Sequence, residues 1–395
     1  NGCVKVIDNG NIWDDKEIKK LKINYENDIR RVEDIAKLPK TRFYQFRTDI
    51  EIKEVLKEIK GPDFPTGAHI YNQKEIGTIY QTGRGGILMR AVSEIEEVKG
   101  GKFRIIVTEL PFQVNKATLL AKIAQLVKDK KIEGISDLRD ESNKHGIRVV
   151  VELKREAKPK TVENQLFKYT ELQKTFNVNS LALVNGEPKL LSILEMIEYF
   201  ISHRQEIVSR RLENELGENR EREHILEGLL IALDHIDEII KLIRAASDAE
   251  EAKAGLIKKF KLSEIQAQAI LDMQLRKLAA LERKKIEDEY SSIVNRIKEI
   301  ILILNTPQKV LEIVKTEMLS VKEKFGDERK TKIHKGNIDE ISEEDLVPNE
   351  ATFVTISTQG YIKRLKTDTY KVQNRGGSGV KTMSTKDDDS VRHVF

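Results

Sequence analysis

The chain has 395 residues, enough for two or three domains with cores of their own. Charged residues make up 34% and hydrophobic residues 39%, values typical of an elongated helical protein with much solvated surface. The 69 basic residues nearly cancel the 65 acidic ones and leave a net charge of +4. This total by itself says little about nucleic-acid binding, so local basic patches must be examined instead.

The single cysteine, Cys3, excludes an internal disulfide framework and a metal site built from thiolates. It suits a reducing compartment. No run approaches 18 apolar residues and no signal peptide opens the chain, so we predict a soluble cytoplasmic protein. The first residue is Asn1 rather than Met, which indicates a fragment or a trimmed chain.

The first sixty residues are mixed and highly charged. Their pattern predicts a strand at Cys3–Ile7 and helices around Lys16–Asn24 and Ile50–Ile59. The next stretch, Gly61–Gly67, is dense in glycine and proline and predicts a turn-rich loop.

A small α/β layer is predicted after that loop. Strand patterns cover Gly86–Ala91, Phe103–Leu110 and Ile147–Leu153, and an amphipathic helix pattern covers Asn115–Lys130. Another helical piece begins at Lys158 and ends near Thr170. The alternation of strand, helix and strand predicts one packed layer of each kind.

Two long helical runs follow, and the rest of the chain is organised around them. Apolar residues recur every three or four positions from Leu191 to Ile243 and again from Ile286 to Leu304. We expect the two helices to pair antiparallel as a projecting arm. A continuous helix from Ser192 to Arg244 would be about 80 Å long.

The block between the runs, Leu262–Leu278, is apolar and rich in small residues. Two capping boxes, Ser247 to Glu250 and Ser263 to Gln266, predict short helices at this tip. The block is either a private core of the tip or a self-association surface, and we favour the second. The predicted dimer-gate residues are Ile265, Ala269, Ile270, Met273 and Leu275.

No self-contained catalytic centre or metal site is predicted. Gly83–Gly86 lacks the strand-to-helix context of a nucleotide loop, and it predicts a turn with Arg84 free to touch a phosphate. His203, His224 and His235 are not spaced for a metal, so they are interpreted as solvated or capping residues. Asp387–Asp389 is interpreted as an exposed loop.

The tail is basic. After a helix break near Pro307 and a β-hairpin pattern from Ala351, residues 361–395 hold eight Lys or Arg against four Asp. Gln373–Gly379 is a glycine-rich loop whose backbone could lie against a phosphate chain, although a plain exposed turn is the alternative.

Many collinear motifs resemble those of the bacterial DNA gyrase A protein, part of a type IIA topoisomerase. The matching stretches are Gly61–Thr66, Tyr80–Gly85, Met89–Ala91, Glu109–Ala117, Ile132–Ser142, His203–Arg204, His224–Gly228, Leu262–Glu282 and Phe325–Asp327. The resemblance runs from about Gly61 to Phe395 and, more faintly, over Asn1–Asp8.

The resemblance implies a mainly α fold with an α/β region, in three parts. Residues 1–190 would be a partial tower domain that supports a cut DNA duplex, with residues 9–58 as an unplaced insertion. Residues 191–334 would be coiled-coil arms with an exit-gate dimerisation tip at about 246–283. Residues 335–395 would be a linker and the start of a C-terminal DNA-wrapping β-pinwheel.

The resemblance also implies a function and partners. The family forms an A2B2 heterotetramer with the gyrase B subunit, in which two copies of gyrase A meet at the arm tips. The complex passes one DNA duplex through another and introduces negative supercoils, with ATP and Mg²⁺ bound by the B subunit. No cofactor is expected on this chain.

The DNA-contacting residues implied by the matched motifs lie in the tower and in the tail. They are Arg84, Arg90, Lys116, Lys363, Arg364, Arg375, Gly376, Gly377 and Gly379.

Two departures from the family pattern limit these expectations. The family attacks DNA with a tyrosine preceded by arginine, and none of the nine tyrosines here follows an arginine directly. We therefore expect no cleavage by this chain alone.

In the glycine-rich loop, Asn374 and Ser378 replace two basic residues of the family's wrapping motif, so the corresponding protein of topoisomerase IV is the alternative. A non-enzymatic chromosome-organising coiled-coil protein is a further alternative.

Overall fold

A computed structural model describes residues 2–13, 23–39, 43, 45–98, 100–273, 280–334, 336, 352–366 and 389–395. The chain forms two compact units. Unit 1 contains Asn1–Pro62, Lys74–Gly86 and Asn177–Arg329. Unit 2 contains Asp63–Gln73, Ile87–Phe176 and Lys330–Phe395. None of the described helices is both long enough and apolar enough to cross a membrane.

The N-terminal part of unit 1 is a set of short elements. They are α1 (Gly2–Asp8), β1 (Gly10–Trp13), a 3₁₀ helix (Val32–Lys37), β2 (Gln45–Thr48) and α2 (Ile52–Glu58). Strands β1 and β2 pair antiparallel, with Gly10 opposite Thr48. The predicted helix at Ile50–Ile59 is confirmed as α2, and most of the one at Lys16–Asn24 lies outside the described residues.

The predicted strand at Cys3–Ile7 is wrong, because this stretch belongs to helix α1. Gly2 and Val6 are buried one helical turn apart, together with Ile7. Val6 and Ile7 belong to a core that also contains residues of the long helices. Packing on one helical face therefore outweighs the preference of β-branched residues for strands.

The middle of the chain supplies two sheets. Its elements are β3 (His69–Ile70), α3 (Gln73–Thr82), β4 (Arg84–Arg90), β5 (Val92–Val98), β6 (Lys102–Glu109), α4 (Lys116–Lys128), β7 (Ile135–Asp140), β8 (Val149–Leu153), α5 (Pro159–Tyr169) and β9 (Gln173–Asn179). Strands β5, β6, β8 and β7 pair in that order, all antiparallel. Helices α4 and α5 share a core with this sheet, which confirms the predicted α/β layer.

The long helices follow a hairpin. The elements are β10 (Leu181–Val184), β11 (Glu187–Leu190), α6 (Ile193–Asp234), α7 (Ile236–Ala245), α8 (Ala249–Phe260), α9 (Glu264–Leu271), α10 (Ala280–Leu304) and α11 (Pro307–Phe325). Two ion pairs join α6 to α10 in reversed order along the chain: Asp234 pairs with Arg283, and the earlier Glu215 with the later Arg296. The two helices therefore run antiparallel, as predicted.

The first long helix is shorter than predicted. It has 42 residues, which corresponds to about 63 Å rather than 80 Å. The interruption is at His235, whose φ of −116° and ψ of 31° are not helical. The apolar stripe alone did not reveal this break, because its period continues from Leu233 to Ile239, both of which are buried.

The capping residues are partly as predicted. Ser263 caps α9, and its hydroxyl accepts from Gln266 N at 3.2 Å, which confirms the second capping box. The first box is wrong by one position. Asp248 caps α8 and accepts from Glu251 N at 2.8 Å, and its negative charge is favourable at the positive end of the helix. The Ser247 hydroxyl donates instead to the Glu251 carboxylate.

The last elements are β12 (Lys332–Ile333), β13 (Thr352–Ser357), β14 (Ile362–Lys366) and β15 (Val391–Val394). Strand β12 pairs parallel with β3 in a four-stranded sheet of order β12, β3, β4, β9. Strand β13 lies between β14 and β15. The predicted hairpin is confirmed by the β13–β14 pairing and by Gly360, whose φ of 86° suits the turn.

Candidate nucleic-acid interface and arm tip

Arg84 begins β4 and is exposed. It follows Gly83, which has a φ of +73° and lies so close to the Leu191 carbonyl that an added Cβ would be 2.5 Å from it. The turn therefore requires glycine, and it presents the next side chain to solvent. No other described residue forms an ion pair with Arg84, so its guanidinium can contact a phosphate.

Arg90, at the other end of β4, is held by its own unit. Its Nε and Nη2 donate to Gln173 Oε1 at 2.8 and 2.5 Å. The guanidinium lies 4.4 Å from the centre of the Phe167 ring and 5.5 Å from that of Tyr71. Burial lowers the pKa of Arg90 from its usual value. These contacts favour a structural role for Arg90 rather than a phosphate contact.

Lys116 is the first residue of α4, after the cap residue Asn115. Its Nζ lies 2.8 Å from Asp140 Oδ2. Hydrogen bonds from Lys116 and Ser142 lower the pKa of Asp140 to about 2. A cation is unfavourable beside the positive end of a helix dipole, and Asp140 offsets that effect. The charge of Lys116 is therefore already paired within unit 2.

Lys363 and Arg364 are neighbours on β14, opposite Thr355 and Val354. Both side chains are exposed, and no described residue forms an ion pair with either. Successive strand residues point to opposite faces of a sheet, so the two cations serve different faces. The other predicted tail residues, Arg375, Gly376, Gly377 and Gly379, lie outside the described residues.

A group of cations that the sequence did not single out lies at the end of helix α4 and on two loops of unit 2. We call it the loop-cation cluster. It consists of Lys128, Lys130, Lys131, Lys154 and Arg155, all exposed.

The two loops of this cluster are held together by backbone contacts. Lys154 N donates to the Gly134 carbonyl at 2.7 Å, and an added Cβ on Gly134 would lie 2.8 Å from Ala157 Cβ. Within the described part of the chain, no carboxylate pairs with any of the five cations. Exposed cations without a carboxylate partner are able to contact a phosphate backbone.

The sequence contains the signal for this cluster in two short runs, Lys128–Lys131 and Lys154–Lys160. Neighbouring acidic residues hide it, because Asp129, Glu133 and Glu156 reduce the local charge. The pairing of β7 with β8 brings Gly134, three residues after the first run, against Lys154, the first residue of the second run.

The predicted gate residues at the arm tip differ in how far they are exposed to solvent. Ile270 is only 3% exposed and belongs to a core with Leu229, Leu233 and Leu256. Ile265, on the same helix α9, is 45% exposed. Ala269 and Met273 are half-buried against the core, and Leu275 lies outside the described residues. The tip therefore has a private core and also an open apolar side chain.

The tip is fixed to α6 by a polar contact that the sequence did not predict. Gln266 is buried and its Nε2 donates to the His224 carbonyl at 2.8 Å. His224 Nε2 lies 2.7 Å from Ser263 Oγ, so His224 braces the cap of α9. Gly228 leaves room for Gln266, since an added Cβ would lie 2.7 Å from it.

Among the residues with described positions, no three histidines, cysteines or carboxylates are arranged to hold a metal ion. The prediction that Asp389 lies in an exposed loop is wrong. Asp389 is buried, and it accepts hydrogen bonds from Thr358 Oγ1, Gln359 N and Ser390 N at 2.8 to 3.0 Å. It therefore ties the β13–β14 turn to the start of β15.

Comparison with known proteins gives two family matches. The profile of the DNA gyrase and topoisomerase IV A subunits matches residues 42–319, and that of the DNA gyrase C-terminal β-propeller domain matches residues 351–395. DNA gyrase A subunits of Halalkalibacterium halodurans and Staphylococcus epidermidis are each 50% identical over 347 residues, which are 88% of this chain and 41% and 39% of those proteins. That of Clostridium acetobutylicum is 50% identical over 344 residues, 87% of this chain and 41% of its own length. The chain thus spans about two fifths of these relatives.

Proposed function

The chain belongs to the family of DNA gyrase and topoisomerase IV A subunits, and we propose that it supports a DNA duplex and forms an exit gate during strand passage. The family match over most of the chain carries this proposal, and it makes the alternative of a non-enzymatic chromosome-organising protein unnecessary. All three relatives compared above are named as gyrase A proteins, which favours negative supercoiling over the decatenation expected of a topoisomerase IV.

The duplex-supporting surface is proposed to lie on unit 2. The loop-cation cluster supports this assignment, because its five cations are exposed and have no carboxylate partner among the described residues. Contacts of this kind hold DNA of any sequence and depend strongly on salt. Arg84 in unit 1 and Lys363 and Arg364 on β14 are further candidate phosphate contacts.

The gate is proposed to lie at the arm tip, where two copies of this chain would meet. Ile265 supports this role, because it is a large apolar side chain that the tip's own core leaves exposed. The proposed parts remain a tower at 1–190, arms at 191–334 and the beginning of a DNA-wrapping pinwheel at 335–395.

The proposed assembly is the A2B2 complex with the gyrase B subunit, in the cytoplasm. ATP and Mg²⁺ would act on the B subunit, whereas this chain would contribute DNA binding and the gate. Because no tyrosine in this sequence follows an arginine, we propose that the chain alone forms no covalent adduct with DNA. A trapped protein–DNA adduct on the isolated chain would contradict this part of the proposal.

The test of duplex support compares two sets of four substitutions that remove equal charge. The first set, Lys130→Gln, Lys131→Gln, Lys154→Gln and Arg155→Gln, removes unpaired cations. The matched set, Arg222→Gln, Arg283→Gln, Lys253→Gln and Lys259→Gln, removes cations that pair with carboxylates at 2.6 to 2.9 Å. Binding of a labelled duplex is measured by anisotropy over a range of salt concentrations.

We expect the first set to weaken binding on the order of 100-fold near 0.1 M salt. It should lower the slope of log affinity against log salt by about 3 to 4, since each phosphate contact contributes about 0.9. The matched set should change both quantities little. Equal losses in the two sets, or an unchanged slope in the first, would refute the assignment. Circular dichroism checks that each variant is folded.

A further inference from the structure

A segment near the start of the chain lies along the first long helix. We call it the strap, and it consists of residues 23–39, 43 and 45–48. Its contacts on α6 extend from Glu198 to Glu221, a distance of about 35 Å along the helix. Later strap residues contact earlier helix residues, so the strap runs antiparallel to α6.

One end of the strap is fixed by hydrogen bonds from its backbone to side chains of α6. Phe46 N donates to Ser202 Oγ and Thr48 N donates to Glu198 Oε1, both at 2.9 Å. Arg47 Nη1 also donates to Glu198, at 2.9 Å. Glu198 is only 6% exposed, so this carboxylate is stabilised mainly by the strap.

The other end is fixed by a close approach of two backbones. An added Cβ on Gly217 of α6 would lie 2.8 Å from Val32 N and 2.9 Å from Val32 Cα. Val32 N donates to Glu221 Oε1 at 3.1 Å, one helical turn further along α6. Glycine is among the poorest residues for a helix interior, and here its missing side chain makes room for the strap.

Between these ends the strap contributes to the main core of unit 1. Ile29 is fully buried and Leu38 is 9% exposed. They share a core with Leu212 and Leu216 of α6 and with Ile300 of α10. Apolar burial of this kind resists separation of the strap from both long helices.

Most of the strap lies outside the family match, which begins at residue 42. The Gly217 and Glu221 contacts therefore join a helix within the match to a segment before it. The interruption of the arm at His235 lies beyond the last of these contacts.

We propose that the strap is a splint for the base of the arm. It holds the first part of α6, from Ile197 to His224, straight against α10. The interruption at His235 lies beyond the last strap contact, so the segment that follows it is not braced by the strap. This role is independent of DNA binding and would hold even if the loop-cation cluster bound no duplex.

The test uses the whole chain with Gly217→Ala and measures amide hydrogen exchange by mass spectrometry. The new methyl group meets backbone atoms of Val32 and must displace the strap, although alanine favours the helix itself. A second variant, Glu221→Ala, removes the acceptor for Val32 N without adding volume near the strap backbone. The control is Glu218→Ala, an exposed position of the same helix with no strap contact given by the structure.

We expect Gly217→Ala to speed exchange in residues 32–38 by about tenfold or more, and in residues 197–224 of α6 by at least about threefold. Residues 226–234 should change less than about twofold. Glu221→Ala should give the same pattern with smaller changes, and Glu218→Ala none.

Two results would overturn the proposal. If the strap exchanges faster while residues 197–224 keep their protection, the strap is attached to the arm without stiffening it. If the strap stays protected in both variants, the contacts at Gly217 and Glu221 do not hold it. A general loss of protection that includes residues 226–234 would also count against a local splint, and circular dichroism would identify it as unfolding.

Discussion

The arm and the loops of unit 2 are both rich in cations, but they use them differently. On the arm, Arg296 forms a two-point contact with Glu215 at 2.6 and 3.0 Å, and Arg222 and Arg283 also have carboxylate partners. On the loops, the loop-cation cluster has no such partner among the described residues. Charged residues make up 34% of the chain, so their number alone does not identify a binding surface. Cations that pair with a carboxylate of the same chain stabilise the fold, whereas unpaired cations are available to bind a partner.

The same distinction applies to apolar residues of the two helices α6 and α9. Leu216 of α6 is fully buried in the core of the same chain, whereas Ile265 of α9 is 45% exposed. Burial within the chain indicates a contribution to stability, and exposure indicates a contribution to assembly.

The largest effect is expected from placing a charge on the open apolar residue. Under the proposed gate, Ile265→Glu would bury an unpaired carboxylate between two tips, and it should weaken self-association on the order of 100-fold or more. Sedimentation equilibrium measures this change. Gln268→Glu, at an exposed position of the same helix, is the control for added charge. A dimer of unchanged affinity in Ile265→Glu would show that the exposed side chain is not part of a gate.

The next effect is on stability. Leu216→Ala should lower the free energy of unfolding by about 2 to 5 kcal/mol, because it removes buried methyl groups and leaves a cavity in the arm core. Leu302→Ala removes the same groups from a side chain that is 53% exposed, and should change stability by about 0.5 kcal/mol or less. Urea unfolding compares the two. If both variants lost the same free energy of unfolding, exposure would not tell which apolar residues stabilise the fold.

The fold could be predicted where periodicity is long and local. The apolar stripe of α6, the strands β6 and β8 and the cap at Ser263 follow directly from spacing and composition. The break at His235 could not, because no proline or glycine marks it and the stripe continues past it. Helix α1 could not either, since its conformation depends on burial against distant helices.

The candidate sites were predicted less well, because they depend on which side chains find partners. Arg90 and Lys116 stand in matched motifs, but the structure pairs them with Gln173 and Asp140. The loop-cation cluster combines two runs that are about twenty residues apart in the sequence and flank two paired strands, β7 and β8. The roles of the predicted DNA and gate residues stay predictions.

A smaller effect is expected from breaking a paired charge on the arm. The Arg296 and Glu215 side chains are 39% and 35% exposed, so solvent screens their contact. Arg296→Gln should cost about 0.5 to 1 kcal/mol at low salt, and less as salt rises. Lys131→Gln, which removes an unpaired cation, should cost nothing measurable. A double-mutant cycle with Glu215→Gln isolates the pair, and a coupling of zero would show that the pair is not structural.

The smallest effect concerns Asp140, whose pKa of about 2 depends first on the hydrogen bond from Lys116. Because its folded pKa lies below its ordinary value of 3.8, its contribution to stability is present above pH 3.8 and is lost as the pH falls toward 2. Lys116→Gln should move the NMR titration midpoint of Asp140 up toward 3.8. Lys122→Gln, at an exposed position of the same helix, should not. An unchanged Asp140 midpoint in both variants would mean that Lys116 does not pair with Asp140.

Adding DNA to the parent chain turns this titration into a test of the distinction itself. If Lys116 stays paired with Asp140, the titration midpoint of Asp140 should stay near 2 when a duplex binds. If the midpoint rises on binding, Lys116 has exchanged Asp140 for a phosphate, and a paired cation has proved available after all. Since both side chains are about one third exposed, such an exchange needs no rearrangement of buried groups, which makes Asp140 a sensitive reporter of it.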